Sequence, residues 1–257
     1  MLLGLLVGNS TLKCGVLEGA SVLRAAAADV EAVDLALEAI ERLASPYAVG
    51  GTAVGSVRDD LWARLEGALP ARYRPIRVAR RDFAIPIESA YANPEEAGTD
   101  RLLEAVAAAR RSGGRGAVVV DFGTAVSVSV VSPGGVFLGG AIAAGWRPIA
   151  AGLAARLPRL PELGGSALRP AGDPRRGFRL VARDARSALA SGTFWEIAGG
   201  VRAIVAGTLR ELDFRPLVLA TGGDASLFAL AIPEIEAIVP ELALEGLGIS
   251  ASGGGRT

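Results

Sequence analysis

The chain has 257 residues, 51% of them apolar, and its 27 basic and 27 acidic side chains leave a formal net charge of zero. That length and composition permit a large buried core, in one domain or two similar halves, and argue against disorder. The charge balance removes the electrostatic argument for nucleic acid or an anionic membrane surface and leaves a small-molecule ligand as the better fit. There is no histidine and one cysteine, Cys14, which excludes an intramolecular disulfide, a Cys/His zinc site and every mechanism built on an imidazole base. General-base work then falls to a carboxylate, lysine or tyrosine, and a reducing cytoplasm is the natural compartment.

From the N-terminus, Met1 to Val7 is apolar but short, lacks a basic flank and runs into Gly8-Asn9-Ser10, which reads as strand and turn and not as a signal peptide. No apolar run is long enough to span a membrane without charge or glycine, so a soluble chain is expected. Strand-like runs alternate with alanine-rich helical ones, the pattern of an α/β sheet covered by helices. Val30 to Leu43 carries apolar residues at helical spacing. The Asn93-Pro94 pair predicts a helix from Glu95 to Arg111, with Asn93 as N-cap, Pro94 in the first position and Glu95-Glu96 complementing the dipole.

Ala117–Asp121, Ala125–Val131 and Val136–Ile142 read as a β-meander. Leu157 to Phe178, rich in Pro, Gly and Arg, reads as a surface loop; Thr193 to Leu212 returns to a helical pattern, and Ser250 to Thr257 as a frayed tail. Asp59-Asp60 reads as first-turn helix charge, and Arg110, Arg111, Arg115, Arg175 and Arg176 as solvated basic faces.

The segments 2–11 and 118–125 are alike: each is an apolar strand ending in a glycine, polar and hydroxyl turn that leads into a second strand. Two such units suggest a duplicated fold with the turns facing each other across a cleft. The turn Gly8-Asn9-Ser10-Thr11 offers N–H groups and hydroxyls to an anion. Asp121-Phe122-Gly123-Thr124 offers a carboxylate to a cation beside a second phosphate-binding turn. A third turn, Thr221-Gly222-Gly223-Asp224, follows an apolar run and lets backbone pass close to a flat ligand such as adenine. Each turn by itself is also an ordinary structural turn; it is their order that points to a nucleotide triphosphate. Asp100 beside Arg101 suits proton removal from a hydroxyl next to carboxylate recognition, with a surface ion pair as the plain alternative.

These residues carry a family resemblance. The tract Tyr91 to Arg101 (Tyr-Ala-Asn-Pro-Glu-Glu-Ala-Gly-Thr-Asp-Arg), the Asp121-Phe-Gly-Thr turn, the Val7-Gly-Asn-Ser turn, Gly139 to Gly145, Thr221-Gly-Gly223 and Leu242 to Leu247 together resemble a type III pantothenate kinase over nearly the whole chain. The resemblance implies an α/β fold of duplicated ribonuclease H-like, actin-like ATPase halves, with a boundary expected between residues 113 and 114. It implies ATP-dependent phosphorylation of pantothenate to 4'-phosphopantothenate, the first step of coenzyme A synthesis, by a cytoplasmic homodimer.

On this carry-over Asp100 is the general base. Tyr91, Gly98, Thr99 and Arg101 hold pantothenate, with Arg101 on its carboxylate. Gly8, Asn9, Ser10, Thr11 and Thr124 meet the ATP phosphates, and Gly222 and Gly223 complete the nucleotide site. Asp121 sits at a monovalent cation site, potassium or ammonium, and magnesium arrives with ATP.

The sequence also departs from that family's pattern. Leu6 stands where the first phosphate motif places aspartate, Val126 and Ser129 where threonine and aspartate are usual, Ala144 for a proline, and Ala185 for a threonine that reaches substrate. Losing one metal-anchoring carboxylate costs on the order of a hundredfold in rate. A relative that binds ATP or pantothenate without transfer, and a kinase for another small hydroxy acid, are the readings these departures leave open.

Overall fold

The computed structural model describes residues 1–163 and 177–253. The expected loop at residues 157–178 falls partly beyond these, and Arg175, Arg176 and the last four residues of the tail lie outside them. The chain forms two compact units: Met1–Gly116, Val131–Gly139 and Glu241–Thr257 make the first, Ala117–Val130 and Gly140–Pro240 the second.

The first unit opens with β1 (Leu2–Val7), β2 (Thr11–Glu18) and β3 (Ser21–Asp29), then α1 (Val33–Ala44), β4 (Thr52–Ser56), α2 (Asp59–Ala68), β5 (Ile76–Val78), β6 (Glu88–Ser89) and α3 (Thr99–Ser112). The second holds β7 (Ala117–Phe122) and β8 (Ala125–Val131), and β9 (Val136–Ala144), which starts among first-unit residues. Then come α4 (Trp146–Arg156), α5 (Ala185–Glu211), β10 (Leu217–Thr221), the short α6 (Ala225–Phe228) and β11 (Ala237–Ile238), before α7 (Leu242–Gly253) returns to the first unit.

The strand order in the first sheet is β3-β2-β1-β4-β5, with β1 antiparallel to β2 and parallel to β4. In the second it is β6-β9-β8-β7-β10-β11, with the short β6 parallel to β9 at one edge and β10 parallel to β7. A central first strand, two neighbours reached through tight turns, then parallel strands reached through helices on its other side: the same path is walked twice. This is the duplicated ribonuclease H-like arrangement that the two similar strand-turn segments imply, and the α/β reading holds.

Period-two alternation explains how β1 is buried on both faces. Leu3, Leu5 and Val7 join Ile40 and Leu43 of α1 and Leu61, Trp62 and Leu65 of α2 in one cluster. Leu6 points the other way and joins Leu17, Leu103 of α3 and Leu244 and Leu247 of α7. In the second unit Val118, Val120 and Phe122 pack with Val126, Val128 and Val130 against α4 and α5. A run of stacked rings, Phe178 on Phe194 at 4.4 Å and Phe194 on Phe228 at 5.5 Å, fixes α5 there.

Several sequence expectations need correction. The helix predicted from Glu95 is two pieces. Asn93 does cap, accepting from the Glu95 N–H at 3.3 Å, but the turn it starts is a 3₁₀ turn, Pro94–Glu96. Extended backbone at Ala97 and Gly98 interrupts it, and α3 begins at Thr99. Residues 250–253 are the last turn of α7 and not a frayed tail, and α5 starts eight residues earlier than predicted because Asp184 caps it, accepting from the Ser187 N–H at 2.8 Å. Two contiguous halves split after residue 113 do not describe the chain: the first unit runs to Gly116 and takes in α7, because α7 packs on α3 and on the sheet's β1 and β2. Arg111 is not simply a solvated charge either, since its Nε donates to Glu245 of α7 at 2.7 Å. Asp59 and Asp60 do open α2, and the Arg58 guanidinium beside Asp60 holds that carboxyl down to about 2.

Candidate functional site

In the first unit the Tyr91–Arg101 tract folds back on itself. Because α3 starts at Thr99, Asp100 lies in its first turn and not its second, where the helix dipole favours a carboxylate. Asp100 Oδ1 accepts the Arg101 N–H at 2.8 Å and lies so close to Gly98 that a Cβ there would meet it at 2.5 Å. Asp100 is half-buried, which leaves part of its carboxylate accessible.

Arg101 is 6% exposed. Its Nη1 donates to the Tyr91 hydroxyl at 2.9 Å, and its guanidinium lies over the Phe137 ring at 5.1 Å and beside the Tyr91 ring at 5.8 Å. The two rings are themselves 5.4 Å apart. The guanidinium is thus held by a phenol and two aromatic faces, an arrangement that fixes the orientation of a planar cation. Phe137, at the start of β9, was not anticipated, since nothing local marks it. Glu104, one turn beyond Arg101 and 2% exposed, was also missed; a lone acid in the apolar run Leu102 to Ala109 was the available signal.

The turn between β1 and β2 is closed by the Gly8 N–H donating to the Thr11 carbonyl at 3.0 Å. Asn9, Ser10 and Thr11 are exposed around it. Leu6 lies two residues before that turn and faces α3: Leu6 Cδ2 and Thr99 Cγ2 lie 2.9 Å and 3.5 Å from where a Cβ on Gly55 would be. Position 6 is therefore next to the helix start that carries Asp100, but it presents only hydrocarbon. It offers no oxygen to a metal.

In the second unit Asp121 is the penultimate residue of β7, in register with Thr221 of β10. Gly222, at φ +95°, passes so near that a Cβ would sit 2.2 Å from Asp121 Oδ1 and 2.5 Å from the Phe122 carbonyl; only glycine fits. The Gly123-Thr124 turn is braced from below by the Gly145 N–H, which donates to the Thr124 carbonyl at 3.1 Å. The backbone of Asp224 donates to Phe122 O at 3.0 Å, and its carboxylate accepts from Trp146 Nε1 at 2.9 Å and Arg147 Nη1 at 3.3 Å. The turns after β7 and β10 and the start of α4 are thereby tied together around Asp121. Gly223 is exposed, with open space above its Cα.

Among the described residues no group of three or more His, Cys, Asp and Glu could hold a metal. Of the positions where the sequence departs from expectation, Val126 packs in the second unit's core and Ser129 is wholly buried, while Ala144 and Ala185 are exposed.

Residues 2–207 match the family model described as type III pantothenate kinase. A type III pantothenate kinase of Akkermansia muciniphila is 37% identical over 178 residues, 69% of this chain and 69% of that one. One from Anaeromyxobacter sp. is 33% identical over 258 residues, 96% of this chain and 97% of that one. Among solved structures, a ROK family glucokinase from Streptomyces griseus, in complex with glucose and AMPPNP, is similar with a TM-score of 0.54 at 14% identity. That likeness covers 98% of this chain and 99% of that one, and it shows the shared actin-like kinase fold alone.

Proposed function

The chain belongs to the type III pantothenate kinases, and from that premise we propose that it transfers the γ-phosphoryl group of ATP to the primary hydroxyl of pantothenate, with residue roles as follows. The observation that carries the reading is the Asp100-Arg101 pair at the start of α3, a partly accessible carboxylate beside a guanidinium held by Tyr91 and Phe137.

Asp100 takes the proton as the acceptor oxygen attacks the γ-phosphorus and the bond from that phosphorus to the β,γ-bridging oxygen breaks. Arg101, aligned by Tyr91, binds the pantothenate carboxylate, with Gly98 and Thr99 at its side; this fixes the distance between the acceptor's anchored end and its reacting hydroxyl. The turn Gly8–Thr11 and Thr124 cradle phosphates with N–H groups and hydroxyls, while Gly222 and Gly223 let the nucleotide approach the backbone. A potassium or ammonium ion beside Asp121 adds positive charge near the phosphates. Magnesium enters as part of the ATP substrate. A homodimer acting in the cytoplasm completes the proposal, supported by the single buried thiol and by family membership.

The test is direct: purified protein with pantothenate, millimolar ATP, magnesium and potassium, read out as phosphopantothenate. Turnover by the wild type that is abolished in Asp100→Asn supports the assignment. Turnover only in Leu6→Asp would show that the natural chain binds its ligands without transfer, and a strong preference for another hydroxy acid would reassign the acceptor.

A further inference from the structure

Of the 27 basic side chains, 26 are arginine and one is lysine, Lys13. Where every other cation is a guanidinium, one position keeps the compact ammonium. The ladder shows what that position is. Lys13 stands directly opposite Leu6 in the β1–β2 pair, and directly opposed residues of an antiparallel pair share a face, their Cβ atoms about 5 Å apart. The face is the one that Leu6 and Leu17 present to α3 and α7. Lys13 lies at its end nearest the Gly8–Thr11 turn, two residues beyond Thr11, on the order of 7 Å along the strand. A four-carbon stem covers most of that span.

Among the described residues, the Lys13 side chain makes no ion pair and no hydrogen bond, although the residue is half-buried. An aspartate at position 6 would be its cross-strand counter-ion. Leucine there leaves the ammonium uncompensated at the root of a turn whose exposed polar residues, Asn9, Ser10 and Thr11, suit an anion. The chemistry selects lysine over arginine. A tetrahedral ammonium donates in three directions from a point and fits beside a phosphate already held by a turn, whereas the planar guanidinium needs room for a two-pronged contact.

We propose that Lys13 is the phosphate-contacting cation of this chain, its ammonium meeting the terminal phosphates of a nucleotide seated on the Gly8–Thr11 turn and supplying charge on the side where Leu6 can anchor no metal. The inference rests on the reading of that turn as a phosphate site. Lys13 makes and breaks no bond; it stabilises charge on the transferring group, and it deepens the assignment of the nucleotide half without requiring pantothenate as the acceptor.

The lone lysine permits a test independent of turnover. Reductive methylation with ¹³C-formaldehyde keeps the charge and labels only Lys13 and the N-terminus, and the lysine signal is followed while AMP, ADP or a non-hydrolysable ATP analogue is added. Affinities are measured alongside for wild type, Lys13→Met and Lys13→Arg, with thermal melts as the folding control.

The expected result is a lysine shift that grows from AMP to the triphosphate. Triphosphate affinity falls about tenfold to a hundredfold in Lys13→Met, AMP affinity stays within about twofold, and Lys13→Arg is intermediate. Equal effects on AMP and triphosphate, no effect on either, or no binding of triphosphate to the wild type would each overturn the proposal. If the wild type makes phosphopantothenate and Lys13→Met behaves like it, this inference fails and the kinase reading stands. If Lys13 governs triphosphate binding in a protein that never phosphorylates pantothenate, the acceptor assignment fails and Lys13 stands.

Discussion

The hydroxyl of Tyr91 accepts a hydrogen bond from Arg101 Nη1 at 2.9 Å while the same guanidinium rests on the ring of Phe137 at 5.1 Å. The bond orients a buried cation, so Tyr91→Phe removes orientation and leaves most of the packing. A hydrogen bond to a charged group contributes about 1.5–3 kcal/mol. In steady-state kinetics we expect the pantothenate KM to rise on the order of tenfold, with the ATP KM unchanged. An equal rise in both would remove Arg101 from the acceptor side.

Position 6 gives a second expectation. Leu6 is 8% exposed within an apolar cluster, so Leu6→Asp places a carboxylate where it loses hydration, and Lys13 is the cation across the ladder that can compensate it. Leu6→Asp alone should cost less stability than Leu6→Asp in a Lys13→Met background, by about 1 kcal/mol or more in a double-mutant cycle from urea unfolding. Additive losses would show that the two side chains do not meet.

The close approach of α7 to α3 depends on Gly246, where a Cβ would sit 1.8 Å from the Leu103 carbonyl oxygen. Gly246→Ala must part the helices, and overpacking of this kind costs about 1–3 kcal/mol. Differential scanning calorimetry should show a lower Tm, and activity should fall with it because α3 carries Asp100.

Arg111 and Glu245 join the same two helices through a side-chain pair, with Arg111 42% exposed and Glu245 16%. Solvent screening limits such a pair to about 1 kcal/mol at most. Arg111→Ala is therefore expected to lower stability by less than Gly246→Ala, and the difference from wild type should shrink in 1 M salt.

Burial pushes the Cys14 thiol up from its ordinary 9.0 to about 11. A raised value in the folded state means the fold favours the neutral thiol. That contribution is full below pH 9 and is lost as pH rises from 9 towards 11. Iodoacetamide at pH 8 should leave the native protein unmodified and label it after unfolding, while rapid labelling of the native state would contradict the burial.

Much of this was written locally. Strand and turn residues at Gly8 and Gly123 announced the two similar beginnings, and the folded sheets walk the same path twice because each beginning is a short-range event: an apolar strand, a tight turn, a second strand. Asp100 and Arg101 could be singled out because a carboxylate and a guanidinium beside Gly98 and Thr99 carry their chemistry on their side chains. The start of α3 could not. Asn93 and Pro94 are good helix starters, and they did start a turn, but the extended backbone at Ala97 and Gly98 is settled by what lies around them and not by propensity.

What only the tertiary structure decided were the contacts between residues distant in sequence. The ring of Phe137 comes to lie under Arg101 because β9 pairs with β6, α7 belongs with the first unit because Gly246 admits the α3 backbone, and Leu6 becomes a hydrocarbon neighbour of Thr99 by its place in the ladder. The sequence by itself determined which residue types were available: no imidazole, one thiol, one lysine, and a leucine in place of a carboxylate. Which of them face one another depends on strand register and helix docking, where each contact draws on many weak interactions spread over the chain and no single residue encodes the outcome.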